Sequence, residues 1–323
     1  MHKISLVVPT YNRCRSLRKT MPTYLKQKNL EEIVVVNDAS TDCTESYILE
    51  LGRRVHHPKI RYVKHNVRKG TPAARNTGLN VSSCKYVLFG EDDVAFSNDY
   101  SLVLQKTMEK SNVEIVGGKM LSIKKGETFE ECVNRYRRSK RTRINLINKQ
   151  LFLGNFSLDT IDTVPFLHAC ALFKREVFDS LRYDENYRYN YYREETDLFL
   201  SAKMKGFKIL YTKDAVCFHL PHAMNGLEGA HFLNGNSIVV KLLTTIRCFL
   251  LAYSNALPVR VLFYVISLDY DLMKIVNNNY FLDKYFDFLS REFNCTHNKA
   301  FYKLTFALNL IREKMRPMFR FGD

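Results

Sequence analysis

The stretch Tyr86-Val87-Leu88-Phe89-Gly90-Glu91-Asp92-Asp93-Val94 is an apolar, strand-like run that ends in three consecutive carboxylates. Like charges gathered at the tip of a buried strand repel one another, and a cation held between them relieves that repulsion. Carboxylate oxygens suit Mg²⁺ or Mn²⁺, and Mg²⁺ characteristically keeps a few carboxylates and completes its shell with substrate phosphates. An acidic turn without metal is the alternative reading of the same residues. The choice between the two depends on their surroundings.

Outward from this stretch, the chain up to residue 120 alternates in the manner of βαβ units. Apolar, β-rich runs at 4–8, 33–36, 60–63, 86–89 and 113–116 are separated by helical patterns near 16–28, 44–53, 71–80 and 98–109. That alternation predicts an α/β fold with a doubly wound, mostly parallel sheet. Ligands of such sheets sit at the carboxyl ends of strands, and unusual polar residues collect there: Thr10-Tyr11-Asn12-Arg13, Asn37-Asp38-Ala39-Ser40-Thr41-Asp42 and Glu91-Asp92-Asp93. The first strand runs into Pro9-Thr10-Tyr11-Asn12 without a glycine, which argues against a nicotinamide or flavin fold built on GxGxxG.

Composition sets the outer limits. With 323 residues, 46% hydrophobic and 25% charged, the chain is globular material for one large domain, or one domain and an appendage. Its eight cysteines lie tens of residues apart with no CxxC pair, which suggests neither a zinc site nor a disulfide scaffold and fits a reducing cytosol. Met1-His2-Lys3-Ile4 runs straight into a strand pattern without a signal-peptide layout, so the expected location is cytoplasmic. A net charge of +16 predicts an acidic partner, whether nucleic acid, anionic lipid or a phosphorylated substrate. No nucleic-acid recognition module accompanies that charge, which disfavours the first.

Five segments in order, VVPTYNR at 7–13, VVVNDASTD at 34–42, GTPAARNTG at 70–78, GEDDV at 90–94 and REETDL at 193–198, resemble the signature of the family-2 glycosyltransferases. The resemblance covers roughly residues 1–236. It implies a GT-A catalytic domain over 1–236, followed by a helical C-terminal extension over 237–323, and sugar transfer from a nucleotide sugar with inversion. It further implies that Pro9, Thr10, Tyr11, Asn12, Arg13, Asp38, Ser40, Arg75 and Asn76 frame the donor, with Asp38 accepting from the base of a UDP-sugar. Asp92 would lie near the ribose and Asp93 on a Mn²⁺ or Mg²⁺ that bridges the phosphates. Glu91 replaces the usual first aspartate of that triplet and is a further metal candidate. Arg13, Arg68 and Lys69 are candidate phosphate contacts.

Inversion in one displacement requires a base opposite the leaving group, and Glu194, Glu195 and Asp197 supply the candidates. On a helix starting here, Glu194 and Asp197 share a face while Glu195 is rotated by about 100°. The resemblance makes the second acid of the pair, Glu195, the base. Acids in a first helical turn are also favoured by the helix dipole, which alone would account for one or two of the three. Downstream, Val216-Cys217-Phe218-His219-Leu220-Pro221-His222 offers a histidine at a strand end, and His219 is the expected metal ligand by family likeness. Five tyrosines between Tyr183 and Tyr192 suit an acceptor wall, since aromatic faces stack on sugar rings.

The last ninety or so residues carry no catalytic motif. Apolar runs at 238–253 and 261–268 are interrupted by Lys241, Arg247 and Arg260, too charged to span a membrane. Basic and apolar residues interleave at 312–321, which suits an anionic membrane surface. The expected function is metal-dependent, inverting transfer to a glycan or lipid-linked acceptor. The alternatives are a basic nucleic-acid-binding protein and an inactive nucleotide-sugar binder.

Overall fold

The computed structural model of the chain describes residues 3–138, 162–164, 166–185 and 194–221. The chain divides at residue 255, and every described residue belongs to the first unit, Met1–Asn255. The expected boundary at 236–237, the extension beyond it, His222 and the tyrosines at 187–192 lie outside the described residues.

In chain order the elements are β1 (Ile4–Thr10), α1 (Cys14–Leu25), β2 (Leu30–Asn37), α2 (Thr44–Arg54), β3 (Lys59–Lys64), α3 (Thr71–Val81) and β4 (Tyr86–Phe89). They continue with β5 (Val94–Phe96), α4 (Tyr100–Ser111), β6 (Ile115–Ser122), α5 (Phe129–Arg138), β7 (Asp162–Thr163), β8 (Ala171–Lys174), α6 (Glu194–Met204) and β9 (Ile209–His219). β1 is buried along its whole length, as expected of a strand covered on both faces, and alternate side chains feed two cores. Leu6, Val8, Ile33, Val35 and Leu88 pack with α1, α2 and α4, through Leu17, Met21, Tyr24, Ile48, Tyr100, Leu104 and Met108. Val7, Val34, Val36, Val87 and Phe89 pack on the other side with α3 and α6, through Ala74, Leu79, Leu198, Phe199 and Ala202.

The nine described strands run β3-β2-β1-β4-β8-β6-β9-β5, with β7 paired to β9. From β3 to β4 the pairing is parallel, and Val7 lies opposite both Val34 and Phe89. Beyond β4 the sheet is mixed: β8 is antiparallel to β4 and β6, β6 is parallel to β9, and β5 is antiparallel to β9. The expected α/β sheet is therefore present, with its parallel part confined to the first four paired strands and to β6–β9. β5, β7 and β8 are two to four residues long and too short to carry a legible period. Chain order reverses between β1 and β4, which opens a crevice at their carboxyl ends.

Two glycines set close approaches. A Cβ on Gly78 of α3 would come within 2.3 Å of Val7 Cγ1, so only glycine lets α3 lie this close to β1. A Cβ on Gly118 of β6 would meet the Ala215 carbonyl oxygen at 2.4 Å, where β9 crosses.

The cysteines require a correction. Cys14 and Cys43, separated by 29 residues, form a disulfide that joins the start of α1 to the start of α2. Spacing could not show this pair, because the fold brings the two residues together by aligning β1 with β2. The expectation of a reducing compartment loses the support it drew from eight separate thiols.

Candidate functional site

The acidic turn is held from below. The Tyr24 hydroxyl lies 2.6 Å from the Glu91 carbonyl oxygen and 2.5 Å from that of Val94. Gly90 N–H donates to Val7 O, and Leu220 N–H donates to Asp93 O at 2.8 Å each. With its backbone fixed this way, the turn presents its carboxylates to a cleft of about 180 Å³ lined by Pro9, Thr10, Tyr11, Arg13, Asp38, Arg75, Glu91, Asp92 and Asp93, together with Arg68, Thr71 and Ala74. Ten of the expected site residues, Arg68 among them, therefore share one cavity.

Asp93 Oδ2 lies 3.7 Å from Arg13 Nη1 and 3.8 Å from His219 Nε2. His219 comes from the end of β9, where it pairs in register with Val94. Asp92 has its carboxyl pushed up to about 7, first by burial and then by the charge of Asp93, against the pull of Arg13. Some of its surface stays open to the cleft, but protein encloses it on most sides. A carboxylate and an imidazole 3.8 Å apart supply two donors of the kind that Mn²⁺ or Mg²⁺ accepts. A second group of ligand-type atoms, Cys14, Asp42 and Cys43, does not fit, because both sulfurs are tied in the disulfide. Asp42 instead accepts the N–H groups of Cys14 and Thr44, at 2.9 and 3.0 Å, and so serves the first turns of α1 and α2.

Glu91, which lines the same cleft, is also paired with an arginine. Its carboxylate accepts from Arg75 Nη2 at 3.0 Å, and the Glu194 carboxylate accepts from Arg75 Nε at 3.2 Å. Burial opposes the charge on Arg75, but Tyr183, Glu194 and Glu91 together raise its pKa, so it stays cationic. Burial and the charge of Glu195 push the Glu194 carboxyl up, against Arg75. Arg75 Nη1 and Arg13 Nη1 are buried and make no hydrogen bond among the described residues. Buried donors usually have partners, so two orphans on one cleft are suited to a ligand.

Glu194 and Asp197 are both buried, whereas Glu195 is partly exposed, in keeping with its rotation on the helix. Glu195 lies close enough for its charge to act on Glu91, Arg75, Glu194 and His168. Neither these three acids nor His219 line the cleft wall itself.

Three expected donor contacts face elsewhere. Asn12 has a positive φ of 52°, which asparagine tolerates. Its Oδ1 accepts from Thr41 N at 2.7 Å, and its N–H donates to Ser40 Oγ at 2.9 Å, so Asn12 and Ser40 clasp two loops together. Asn76 Oδ1 accepts from Tyr183 N, and its Nδ2 donates to Tyr183 O and Glu185 Oε1. Arg68 stacks over the Tyr11 ring, 4.1 Å from its centroid, at the mouth of the cleft. Tyr24, Thr71 and Ala74 escaped the sequence reading. Tyr24 falls in the apolar stripe of α1, and only its hydroxyl hinted at a polar partner.

Residues 5–182 match the family described as Glycosyl transferase family 2. Glycosyltransferase GlyA of Streptococcus pneumoniae is 31% identical over 188 residues, 56% of this chain and 26% of that protein. A GalNAc(5)-diNAcBac-PP-undecaprenol beta-1,3-glucosyltransferase of Campylobacter jejuni is 28% identical over 214 residues, 65% of this chain and 62% of that protein. The chain thus spans from about a quarter to under two thirds of these relatives. The crystal structure of S. aureus TarS residues 1–349 in complex with UDP-GlcNAc matches 79% of this chain and 67% of that one, with a TM-score of 0.50 at 17% identity. At that identity the likeness supports the GT-A fold alone.

Proposed function

Because the chain belongs to glycosyl transferase family 2, we propose that it moves a sugar from a nucleoside-diphosphate sugar, a UDP-sugar in our reading, to a hydroxyl of a glycan or lipid-linked acceptor, with inversion. The observation that carries this reading is Asp93, set between Arg13 and His219 on a cleft that Asp38 also lines. The named acceptor of the Campylobacter relative, an undecaprenol-linked glycan, supports a lipid-linked acceptor here.

In this reading Asp93 and His219 would hold Mn²⁺ or Mg²⁺, which when bound neutralises charge on the leaving diphosphate. Arg13 and Arg75, whose Nη1 atoms make no hydrogen bond among the described residues, would steady the negative charge that develops on the donor. Glu91 and Glu194 hold Arg75 in place. Glu195 takes the proton of the acceptor hydroxyl as it attacks the anomeric carbon.

The test is turnover of labelled UDP-sugars by the full chain with Mn²⁺. Release of UDP that disappears on chelation, and in Asp93→Asn with the fold intact, is the expected result. Release by Asp93→Asn at the wild-type rate would overturn the metal assignment, and no release from any donor would overturn the function.

A further inference from the structure

His65 has no place in the family signature quoted above, yet both of its ring nitrogens are engaged inside the protein. Its Nδ1 lies 2.7 Å from Asp38 Oδ1 and its Nε2 lies 2.9 Å from Thr77 Oγ1. A neutral ring protonated on Nδ1 satisfies both contacts, donating to the carboxylate and accepting from the hydroxyl. The contact joins three elements: Asp38 follows β2, His65 follows β3, and Thr77 lies on α3. His65 is buried with both nitrogens occupied, so it offers nothing to a ligand directly.

Its effect falls on Asp38. A carboxylate has about four lone-pair positions. Among the described residues, Oδ1 accepts from His65 Nδ1 and from Lys69 N at 2.8 Å, while Oδ2 accepts from Gly70 N at 2.7 Å. Three positions are filled, and the one left is on Oδ2 of a residue that lines the cleft. Without His65, Oδ1 regains a lone pair and the carboxylate loses the contact that fixes its rotation.

We infer that His65, backed by Thr77, is a positioning residue that restricts Asp38 to one outward acceptor and so selects a nucleobase presenting a ring N–H, as uracil does, over cytosine, whose ring nitrogen at that place is itself an acceptor. The inference rests on the reading that Asp38 faces the donor's base.

The test is calorimetric titration of the full chain with UDP and with CDP, both with Mg²⁺. The shared diphosphate cancels, and the ratio of the two dissociation constants reports on the base. The wild type should prefer UDP by about tenfold, the worth of one charge-assisted hydrogen bond. His65→Phe should lose most of that preference, and His65→Asn, which keeps a donor near the Nδ1 position, should retain it. Equal weakening of UDP and CDP in His65→Phe, or an unchanged ratio, would overturn the proposal, because a merely structural histidine does not alter the ratio. Should His65→Phe fail to fold, Thr77→Val must still lower the ratio, and an unchanged ratio there overturns the proposal equally. The base-contact reading has its own control. A wild type that binds UDP and CDP alike removes that reading and the proposal together, whereas a preference abolished by Asp38→Asn but untouched in the His65 variants removes the proposal alone.

Discussion

Glu195 and its neighbours show how one turn of helix separates functions. Glu194 is buried against Arg75, Asp197 is buried on the same face, and Glu195 alone of the three is partly open. Glu195→Gln should therefore lower turnover by about 10² to 10⁴ and leave donor affinity nearly unchanged, as loss of a general base does. Asp197→Asn is the control, and a larger loss there would move the base by two positions. A pH dependence follows from His168. Burial lowers its pKa to about 4, against the hydrogen bond to the Gly118 carbonyl and the charge of Glu195. Between about 4 and its ordinary value near 6.5 the unfolded chain binds more protons than the folded one, so the stability this residue contributes is whole above 6.5 and lost as pH falls toward 4. The stability difference between wild type and His168→Gln should shrink by on the order of 3 kcal/mol across that window, measured by urea denaturation. Parallel slopes in the two proteins would mean that the ring binds protons equally in the folded and unfolded chain.

Helices and strands are placed by contacts that tolerate no extra atom. Gly78 sits inside α3, where alanine would ordinarily add up to about 1 kcal/mol of stability. Here a Cβ would meet Val7 Cγ1 at 2.3 Å and Val36 Cγ2 at 3.2 Å, both in the buried middle of the sheet. Overpacking should win, and Gly78→Ala should lose about 1 to 3 kcal/mol in denaturant unfolding. Since α3 also carries Arg75 and follows the Lys69 and Gly70 amides that hold Asp38, donor affinity should fall with it. A stabilised Gly78→Ala would show that α3 can move away from β1 without loss. Strand β1 was readable from sequence because all seven of its residues are buried, which leaves a continuous apolar run. Edge strand β3 was readable from its short run of β-branched and aromatic residues at 60–63, which a lysine bounds at each end.

For the chain as a whole, the excess of 49 basic over 33 acidic residues suits an acidic surface, and a lipid-linked acceptor would give that charge a use. No helix among the described residues is long and apolar enough to cross a membrane. Peripheral binding is our proposal, and it predicts that the full chain floats with anionic vesicles and less so at high salt, each interfacial cation contributing about 1 kcal/mol. Replacing Arg312, Lys314, Arg316 and Arg320 with glutamine should weaken flotation; equal recovery of both proteins would place the membrane contact elsewhere. The parallel half of the sheet and the three polar loops at its strand ends could be read from the chain alone. Each depends on periodicity within a few residues, and burial imposes that period locally. In the later half, β6 and the end of β9 were legible as runs at 113–116 and 216–220, but β5, β7 and β8 were not, because strands of two to four residues carry no period and their partners are remote. The same holds for the site: Asp93 and His219 were named separately as metal candidates, but their closeness exists only once β5 pairs with β9. Glu91 read as a metal ligand from its place in the triplet, yet its longer side chain reaches Arg75, which is also paired with Glu194 across 119 residues. Charge is legible along a chain, but which charges neutralise one another is set by the register of the sheet that carries them.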